Sequence, residues 1–307
     1  PWITFKDPCN IRYSNQHAGV VHSSNLCTEI QLHTKPTVYD NEGTRVIREY
    51  GETATCNLAS INLKQHIGVN EHGESFIDYE KMDRTTQIAM RMLDNVIDLN
   101  YYPTEESRRS NLFNRPVGLG SMGWHDLFYE FGVSYGSKDA VRLSDEIYEN
   151  ISYSAIGASS DLASERGTYE TYEGSLWSQN IFPIDTYREL MRVRGEEKRI
   201  HLRKDWDELR KTVKAQGMRN SNTMAIAPTA TISYIAGCSQ SIEPNFGVIF
   251  VYSTLSGEFT MMNEYFVNDM KELGIWSKEV ADMVKSVDGD LSKLNGKIPD
   301  WIKTKYV

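Results

Sequence analysis

A thiol lies between a carboxamide and a carboxylate in the segment NLCTEI at residues 25–30. Asn25, Cys27 and Glu29 occupy every second position, so in an extended segment their side chains would point to the same side. A thiol can exchange a hydrogen atom and a carboxylate can accept a proton, and both could act on one substrate in a shared cavity. A buried structural cysteine with solvated polar neighbours would give the same pattern, since free cysteine is among the most buried residue types.

A second candidate site is the segment APTATIS at residues 227–233, where small residues and hydroxyls follow an apolar run. Backbone N–H groups and the hydroxyls of Thr229, Thr231 and Ser233 could surround phosphate oxygens, most favourably if a helix begins there. An ordinary β-turn whose hydroxyls bind their own backbone has the same composition. The segment therefore predicts either an anion site or a turn.

Three other features carry weaker signals. Cys56 heads an apolar run, which on its own is typical of a buried structural thiol. His125 and Asp126 are adjacent, as in many satisfied surface or core pairs. The glycines at 118, 120 and 123 have GxGxxG spacing, but the acidic residue that a dinucleotide site needs roughly 20 residues further on is missing. Close packing of a helix on a strand explains these glycines better.

The composition excludes several classes of protein. The chain has 307 residues, 40% of them hydrophobic, and a net charge of -9, so it can bury a large core and does not suit a general nucleic-acid surface. No apolar run approaches the roughly 20 residues that span a bilayer, and the first residues lack the layout of a signal peptide. The cysteines at 9, 27, 56 and 238 have no metal-ligand spacing. We expect a cytoplasmic protein that binds no metal, membrane or nucleic acid.

The periodicity of apolar residues predicts strands and loops first and a helix afterwards. Residues 1–63 are short apolar runs, the first at 2–5, separated by turn residues such as those at 40–44. Residues 79–101 have the period of an amphipathic helix. Its apolar positions form two adjacent stripes: Ile88, Met92 and Val96 on one, and Ala89, Leu93 and Ile97 on the other.

Further helices are predicted over 138–166, 205–216, 259–273 and 278–287, and the first three of these precede a glycine suited to a C-terminal cap. Glu258 is expected in the first turn of the third helix, where it would favour the helix dipole. Short strands are predicted at 222–227 and 231–236. Helices that alternate with short strands indicate an α/β fold.

Several segments, taken together, strongly resemble the large subunit of class I ribonucleotide reductase. They are SNLCTEI at 24–30, CNLAS at 56–60, RPVGLG at 115–120, RNS at 219–221 and PTAT at 228–231. YETYEGS at 169–175 and SGEF at 256–259 resemble the eukaryotic-type branch of that family. The resemblance runs from about residue 5 to the last residue, and the order and spacing of the segments make it specific.

The resemblance implies that residues 1–307 are part of a ten-stranded α/β barrel with a central finger loop, and that Cys27 lies at the tip of this loop. Cys27 would carry a thiyl radical that abstracts the 3′-hydrogen of a ribonucleoside diphosphate. Glu29 would accept the proton of the 3′-hydroxyl. Asn25, next to Ser24 in the substrate site, would orient the ribose hydroxyls.

The resemblance also assigns the reducing thiol and the phosphate site. Cys56 matches one of the two thiols that supply the reducing electrons and end as a disulfide. The diphosphate would lie on Thr229, Ala230, Thr231 and Ile232, so oriented amides rather than bulk charge would hold the anion.

The family further implies partners and missing parts. A small (beta) subunit with a di-metal centre would generate the radical, and thioredoxin or glutaredoxin would reduce the disulfide, so no cofactor is bound directly in this chain. The second reductant thiol and the regulatory regions lie upstream in the family, and the radical-relay tyrosines and a CxxC tail lie downstream. We expect both ends to be cut from something longer, and the chain to be inactive without the missing large-subunit segments or companion polypeptides of a split enzyme.

Two alternatives stand beside this interpretation. A cobalamin-dependent or glycyl-radical reductase would also have a central thiyl cysteine, although the segment at 25–30 favours class I. A catalytically inactive fragment or relic would act only as a nucleotide-binding or subunit-binding protein. The presence together of Asn25, Cys27, Glu29 and Cys56 argues against the second alternative, because a scaffold has no use for that set.

Overall fold

The computed structural model of the chain describes residues 6–40, 46–196, 200–245, 247–255, 257–294, 296 and 298–306. The apolar run predicted at 2–5 and most of the turn predicted at 40–44 lie outside these residues. Within them the chain mixes helices and short strands, which confirms an α/β composition. The ten-stranded barrel and the finger loop stay predictions.

The α-helices of the described residues are α1 (Lys6–Arg12), α2 (Tyr79–Leu99), α3 (Glu105–Asn114), α4 (Trp124–Glu130), α5 (Lys138–Arg166), α6 (Pro183–Val193), α7 (Trp206–Gln216), α8 (Ile232–Ala236), α9 (Glu264–Glu272), α10 (Lys278–Ser286) and α11 (Asp300–Tyr306). The strands are β1 (Val38–Tyr39), β2 (Ile47–Glu49), β3 (Asn57–Asn62), β4 (Ile67–Val69), β5 (Ser75–Ile77), β6 (Val117–Met122), β7 (Ile249–Thr254) and β8 (Gly257–Met262). The strands pair as β1 with β2, β3 with β6, β4 with β5, and β7 with β8.

The chain divides into two compact units. The first consists of Pro1–Ile61, Tyr79–Ser121 and Glu146–Pro228, and the second of Asn62–Asp78, Met122–Asp145 and Thr229–Val307. Each unit has its own apolar core. The sequence-based assignment of residues 1–307 to one partial barrel domain stays a prediction.

Helix α2 confirms the predicted element but not the role of its first stripe. Ile88 and Met92 are 61% and 62% exposed, and Val96 is also exposed. The buried face consists of Met82, Thr86, Met90, Leu93, Asp94 and Ile97. The true core face is therefore rotated toward the second predicted stripe and includes a charged residue.

That charged residue, Asp94, binds three guanidinium groups inside the first unit. Its carboxylate is fully buried and lies 2.9 Å from Arg115 Nε, 2.9 Å from Arg166 Nη1 and 3.3 Å from Arg219 Nε. Asn220 Nδ2 donates to the same carboxylate at 3.3 Å and to the backbone carbonyl of Arg115 at 3.1 Å. Because buried charges need partners, this cluster fixes four distant points of the chain against one another.

Strand β6 is buried along its whole length. On one side it pairs with β3, and on the other Leu119 forms a parallel bridge to Met224. A Cβ on Gly118 would lie 2.5 Å from Leu58 Cδ2, and one on Gly120 would lie 2.4 Å from the carbonyl oxygen of Ala225. The expected packing of a helix on a strand is therefore wrong here, because neighbouring extended segments are what require the glycines.

Several helix boundaries follow their capping residues. Helix α5 ends before Gly167, whose φ is +82°, and α7 begins after Asp205, whose side chain accepts from Glu208 N. Ser277 caps α10 in the same way by accepting from Val280 N. These helices were predicted, since apolar periodicity and end signals agree. Helix α1 was not predicted, so the assignment of residues 1–63 to strands and loops is wrong at Lys6–Arg12.

Two predictions in the second unit are wrong for local reasons. Residues 231–236 form helix α8 rather than a strand, since Thr229 and Thr231 carbonyls accept from Ser233 N at 3.0 Å and Ile235 N at 3.3 Å. The helix predicted over 259–273 begins only at Glu264, where Asn263 caps it. Glu258 lies in strand β8 of a β-hairpin and not in a helical turn.

We expect Asp94→Ala to lower the free energy of unfolding by about 3–5 kcal/mol, because it removes the fully buried carboxylate that Arg115, Arg166 and Arg219 share. Urea unfolding followed by far-UV circular dichroism measures this. The matched control is Asp98→Ala: Asp98 also binds Arg115, at 2.8 Å, but its side chain is 50% exposed. It should cost less than about 1 kcal/mol, and equal losses would contradict the central role of Asp94.

We expect Gly120→Ala to destabilise the first unit by about 1–3 kcal/mol, since the added methyl meets backbone that has no room to move. The control is Gly136→Ala, where a Cβ would meet nothing within 4 Å. The control should stay within about 0.5 kcal/mol of the parent protein. An unchanged midpoint for Gly120→Ala in urea would show that strand β6 has more space than the structure gives it.

Candidate active site

Residues 25–30 form a closed turn rather than an extended segment. The Asn25 carbonyl accepts from Thr28 N at 3.2 Å, and Asn25 N donates to the Ile30 carbonyl at 3.3 Å. Thr28 has a φ of +66°, in the left-handed region that β-branched residues rarely adopt. Cys27 is exposed at the tip of this turn. The turn thus offers the thiol outward, although not by the strand alternation that the sequence suggested.

The side chains of Asn25, Ser24 and Thr28 form hydrogen bonds within the turn. Asn25 Oδ1 accepts from Ile30 N at 3.1 Å, so the carboxamide helps to close the loop. Ser24 Oγ donates to the Asn25 carbonyl at 3.0 Å, and Thr28 Oγ1 donates to the Cys27 carbonyl at 2.6 Å. The amide and thiol therefore belong to one hydrogen-bonded turn.

Glu29 faces a cleft of the first unit. The cleft has a volume of about 580 Å³, and Glu29 lines it together with Cys9, Tyr13 and Gln31. Among the described residues, Glu29 Oε2 and Gln31 Oε1 are buried atoms without a hydrogen-bond partner. Buried acceptors of this kind are costly unless something donates to them. A hydroxylated ligand in the cleft would supply such donors.

Cys56 is half-buried and packs with Ile30 against a small core of Tyr13, Val21 and Leu32. Burial and the negative charge of Glu29 raise the pKa of the Cys56 thiol to about 12. The thiol is therefore fully protonated at neutral pH, and Glu29 is close enough to influence it. A Cβ on Gly118 would lie 3.5 Å from Cys56 Sγ, so the bare backbone of β6 leaves space for this sulfur.

The predicted phosphate segment belongs to the second unit. Thr229 is buried with a φ of +55°, and its Oγ1 accepts from Ser241 N at 2.8 Å. Ala230, Thr231 and Ile232 are exposed, and helix α8 begins at Ile232. Ser233 N in the first turn of this helix already donates to the Thr229 carbonyl at 3.0 Å, so the anion-site interpretation of the segment stays a prediction.

The structure brings Asn25, Cys27 and Glu29 into one turn, and Cys56 within the electrostatic reach of Glu29. His125 and Asp126 are a satisfied pair, as expected: Asn245 N donates to His125 Nδ1 at 2.7 Å and Ser239 N donates to Asp126 Oδ2 at 2.5 Å.

No sequence signal pointed to a buried network of Tyr13, His33 and Glu52, of which Tyr13 lines the cleft. Its members are 20 and 19 positions apart and form no motif.

The described residues lack two further features. In that part of the chain no group of three or more His, Cys, Asp or Glu side chains is placed to hold a metal ion. Within the same ranges no helix has the length and apolar character needed to cross a membrane.

The chain is similar to known proteins over its whole length. The family model described as "Ribonucleotide reductase, barrel domain" matches residues 1–307. The chain is 49% identical over 310 residues to the ribonucleoside-diphosphate reductase subunit alpha of Chlamydia pneumoniae, an alignment covering 100% of this chain and 28% of that protein. It is 36% identical to the ribonucleoside-diphosphate reductase large chain of Encephalitozoon cuniculi and 34% identical to the ribonucleoside-diphosphate reductase large subunit of Arabidopsis thaliana. Each of these alignments covers 100% of this chain and 36% of the relative.

The chain belongs to the ribonucleotide reductase barrel domain family. This confirms the resemblance inferred from the motifs, and relatives named large subunits include eukaryotic ones. Members of the family are oxidoreductases of deoxyribonucleotide synthesis. The chain spans between 28% and 36% of the length of the three relatives named above.

We expect Glu29→Gln to speed the alkylation of Cys56 by iodoacetamide at pH 8. Removing the negative charge lowers the pKa of Cys56, and each pKa unit gives about tenfold more thiolate, the reactive form. Glu29→Asp, which keeps the charge, is the control and should change the rate less. Peptide mass spectrometry against time measures both rates. In the parent chain the exposed Cys27 should be modified before Cys56, and the opposite order would contradict the described burial.

Proposed function

We propose that the chain carries the radical-bearing turn and the phosphate segment of a ribonucleoside-diphosphate reductase large subunit. The observation that carries this proposal is the turn at 25–30, which presents the Cys27 thiol with Glu29 two residues away and Glu29 in turn coupled to the Cys56 thiol. Family membership over the whole chain supports the same conclusion.

In the proposed reaction a Cys27 thiyl radical takes the hydrogen atom from C3′ of the ribose. Glu29, whose Oε2 has no partner among the described residues, accepts the proton of the 3′-hydroxyl. The 2′-hydroxyl then leaves as water after gaining a proton. Two thiols supply two electrons and two protons and become a disulfide, and Cys27 returns its hydrogen atom to C3′. The thiyl radical of Cys27 is thus regenerated at the end of the cycle.

The other predicted residues take supporting roles in this proposal. Cys56 is one of the two reducing thiols, and its pKa of about 12 keeps it protonated and ready to donate hydrogen at neutral pH. Asn25, with Ser24 next to it, orients the ribose hydroxyls. Thr229, Ala230, Thr231 and Ile232 hold the diphosphate through backbone N–H groups at the start of α8.

The reaction needs components that this chain does not supply. We propose a small subunit with a di-metal centre as the source of the radical, and thioredoxin or glutaredoxin as the reductant of the disulfide. Further large-subunit segments, in the same polypeptide or as companions, complete the barrel and provide the second thiol. The alternative function is binding of nucleotide or of the small subunit without turnover.

The test is nucleotide-dependent reduction of CDP to dCDP by the chain, reconstituted with flanking large-subunit polypeptides and a radical-bearing small subunit. We expect Cys27→Ser to abolish activity, because an O–H bond is too strong to exchange hydrogen with a ribose C–H. The matched control is Cys238→Ser, a half-buried thiol of the second unit, which should leave activity in place.

Three outcomes separate the possibilities. Activity that needs every component and vanishes only in Cys27→Ser supports the proposal. Activity that survives Cys27→Ser would show that the radical site is elsewhere. No activity from well-folded components, with CDP binding retained in calorimetry, would favour the binding function.

A further inference from the structure

Tyr13, His33 and Glu52 form a hydrogen-bonded chain inside the first unit. The Tyr13 hydroxyl lies 2.6 Å from His33 Nδ1, and His33 Nε2 lies 3.0 Å from Glu52 Oε2. The three residues are 4%, 1% and 3% exposed. In the neutral imidazole one ring nitrogen donates and the other accepts, so with Nε2–H directed to the carboxylate, Nδ1 accepts the phenol O–H.

Glu52 is held as an anion behind the imidazole. Burial by itself would raise the pKa of Glu52, but hydrogen bonds from His33, Asn114 and Lys35 lower it to about 2. Asn114 Nδ2 donates at 2.8 Å and Lys35 Nζ lies 3.1 Å from Oε1. A positive charge that forms on the ring of His33 is therefore compensated at once by a fixed carboxylate.

Tyr13, at one end of the hydrogen-bonded series, lies beside the proposed reaction site. Tyr13 lines the same cleft as Glu29 and Cys9. Its ring also belongs to the small core against which Cys9, Ile30 and Cys56 pack. Two thiols and the proposed proton acceptor thus share their surroundings with a buried phenol.

We propose that Tyr13 is a redox-active tyrosine, which gives up one electron while its hydroxyl proton moves to His33 Nδ1. The O–H bond breaks, the products are a neutral phenoxyl radical and an imidazolium paired with Glu52, and return of the electron and the proton restores the starting state. The oxidant is a cysteinyl radical of the same unit. That sulfur gains the electron and becomes a thiolate, so one negative charge forms on sulfur and one positive charge on the imidazole.

The surroundings favour this reaction over acid or base chemistry by the same phenol. Burial raises the pKa of Tyr13, so the phenol keeps its proton until the electron leaves. An oxidised phenol is a far stronger acid than a neutral one, so it then needs a base within hydrogen-bond reach, and His33 is that base. Exclusion of water protects the radical from reduction by solutes.

Tyr169 shows what the arrangement at Tyr13 adds. It is also buried in the first unit, but its hydroxyl donates to Asn15 Oδ1 at 2.7 Å. A carboxamide cannot take up a proton near neutral pH. Tyr169 therefore has comparable shielding and hydrogen bonding without a proton acceptor, which makes it the matched control.

The cysteinyl-radical oxidant rests on the proposed function, so the test replaces it with an external one. A ruthenium tris(bipyridine) photo-oxidant with a sacrificial acceptor oxidises the purified chain, ascorbate then removes radicals on exposed tyrosines, and electron paramagnetic resonance with absorbance near 410 nm follows the shielded phenoxyl radical. We expect a long-lived signal in the parent chain. It should be lost in Tyr13→Phe and unchanged in Tyr169→Phe.

His33→Gln tests the proton acceptor. Glutamine can still accept from Tyr13 and donate to Glu52, but its amide is not a base, so we expect the long-lived signal to fall while circular dichroism stays that of the folded parent. A signal equal to that of the parent in Tyr13→Phe, or in a folded His33→Gln, would overturn the proposal and leave the three residues a structural network. Because no CDP reduction is measured, failure here is distinct from failure of the proposed function.

Discussion

The buried carboxylate of Asp94 is the interaction on which the first unit depends. Removing an anion from water is costly, and the cost is offset only because Arg115, Arg166 and Arg219 all direct N–H groups at it. Arg115 immediately precedes the segment that enters β6, and Arg219 precedes the stretch that bridges to Leu119. One charge cluster thus sets where the central strand begins and what lies beside it. The glycines of that strand then leave the space that the Cys56 sulfur occupies.

The two thiols of the site differ in the property that matters for their proposed roles. Cys27 is exposed on a turn closed by its own backbone, so its thiol is accessible. Cys56 is half-buried, and its pKa of about 12 suppresses the thiolate. A group that exchanges hydrogen atoms with substrate benefits from access, whereas a reductant that must not react early benefits from shielding. Glu29 links them, because its carboxylate faces the cleft and also raises the pKa of Cys56.

Part of the fold could be predicted from the sequence, and the failures have identifiable causes. The roles of Asn25, Cys27, Glu29 and Cys56 come from the family resemblance and stay predictions. Helices α2, α5, α7 and α10 have clear apolar periods and end signals, which sequence patterns capture well. Helix α6 was missed although Pro183 at its first position is a recognised start signal. The isoleucines of residues 231–236 favour a strand, but hydrogen bonds to the backbone carbonyls of Thr229 and Thr231 make the segment helical. The chain of Tyr13, His33 and Glu52 could not be foreseen, since only the folded backbone brings three residues without a motif into contact.

The exposure of Cys27 also has a chemical cost. A turn that exposes a thiol to solvent exposes it to peroxide, and the first product, a sulfenic acid, either condenses with another thiol or is oxidised further beyond recovery. The half-buried thiol of Cys56 should be oxidised more slowly than that of Cys27. Because Cys27 is exposed and the other three cysteines are half-buried, oxidation of the chain should begin at the Cys27 sulfur atom.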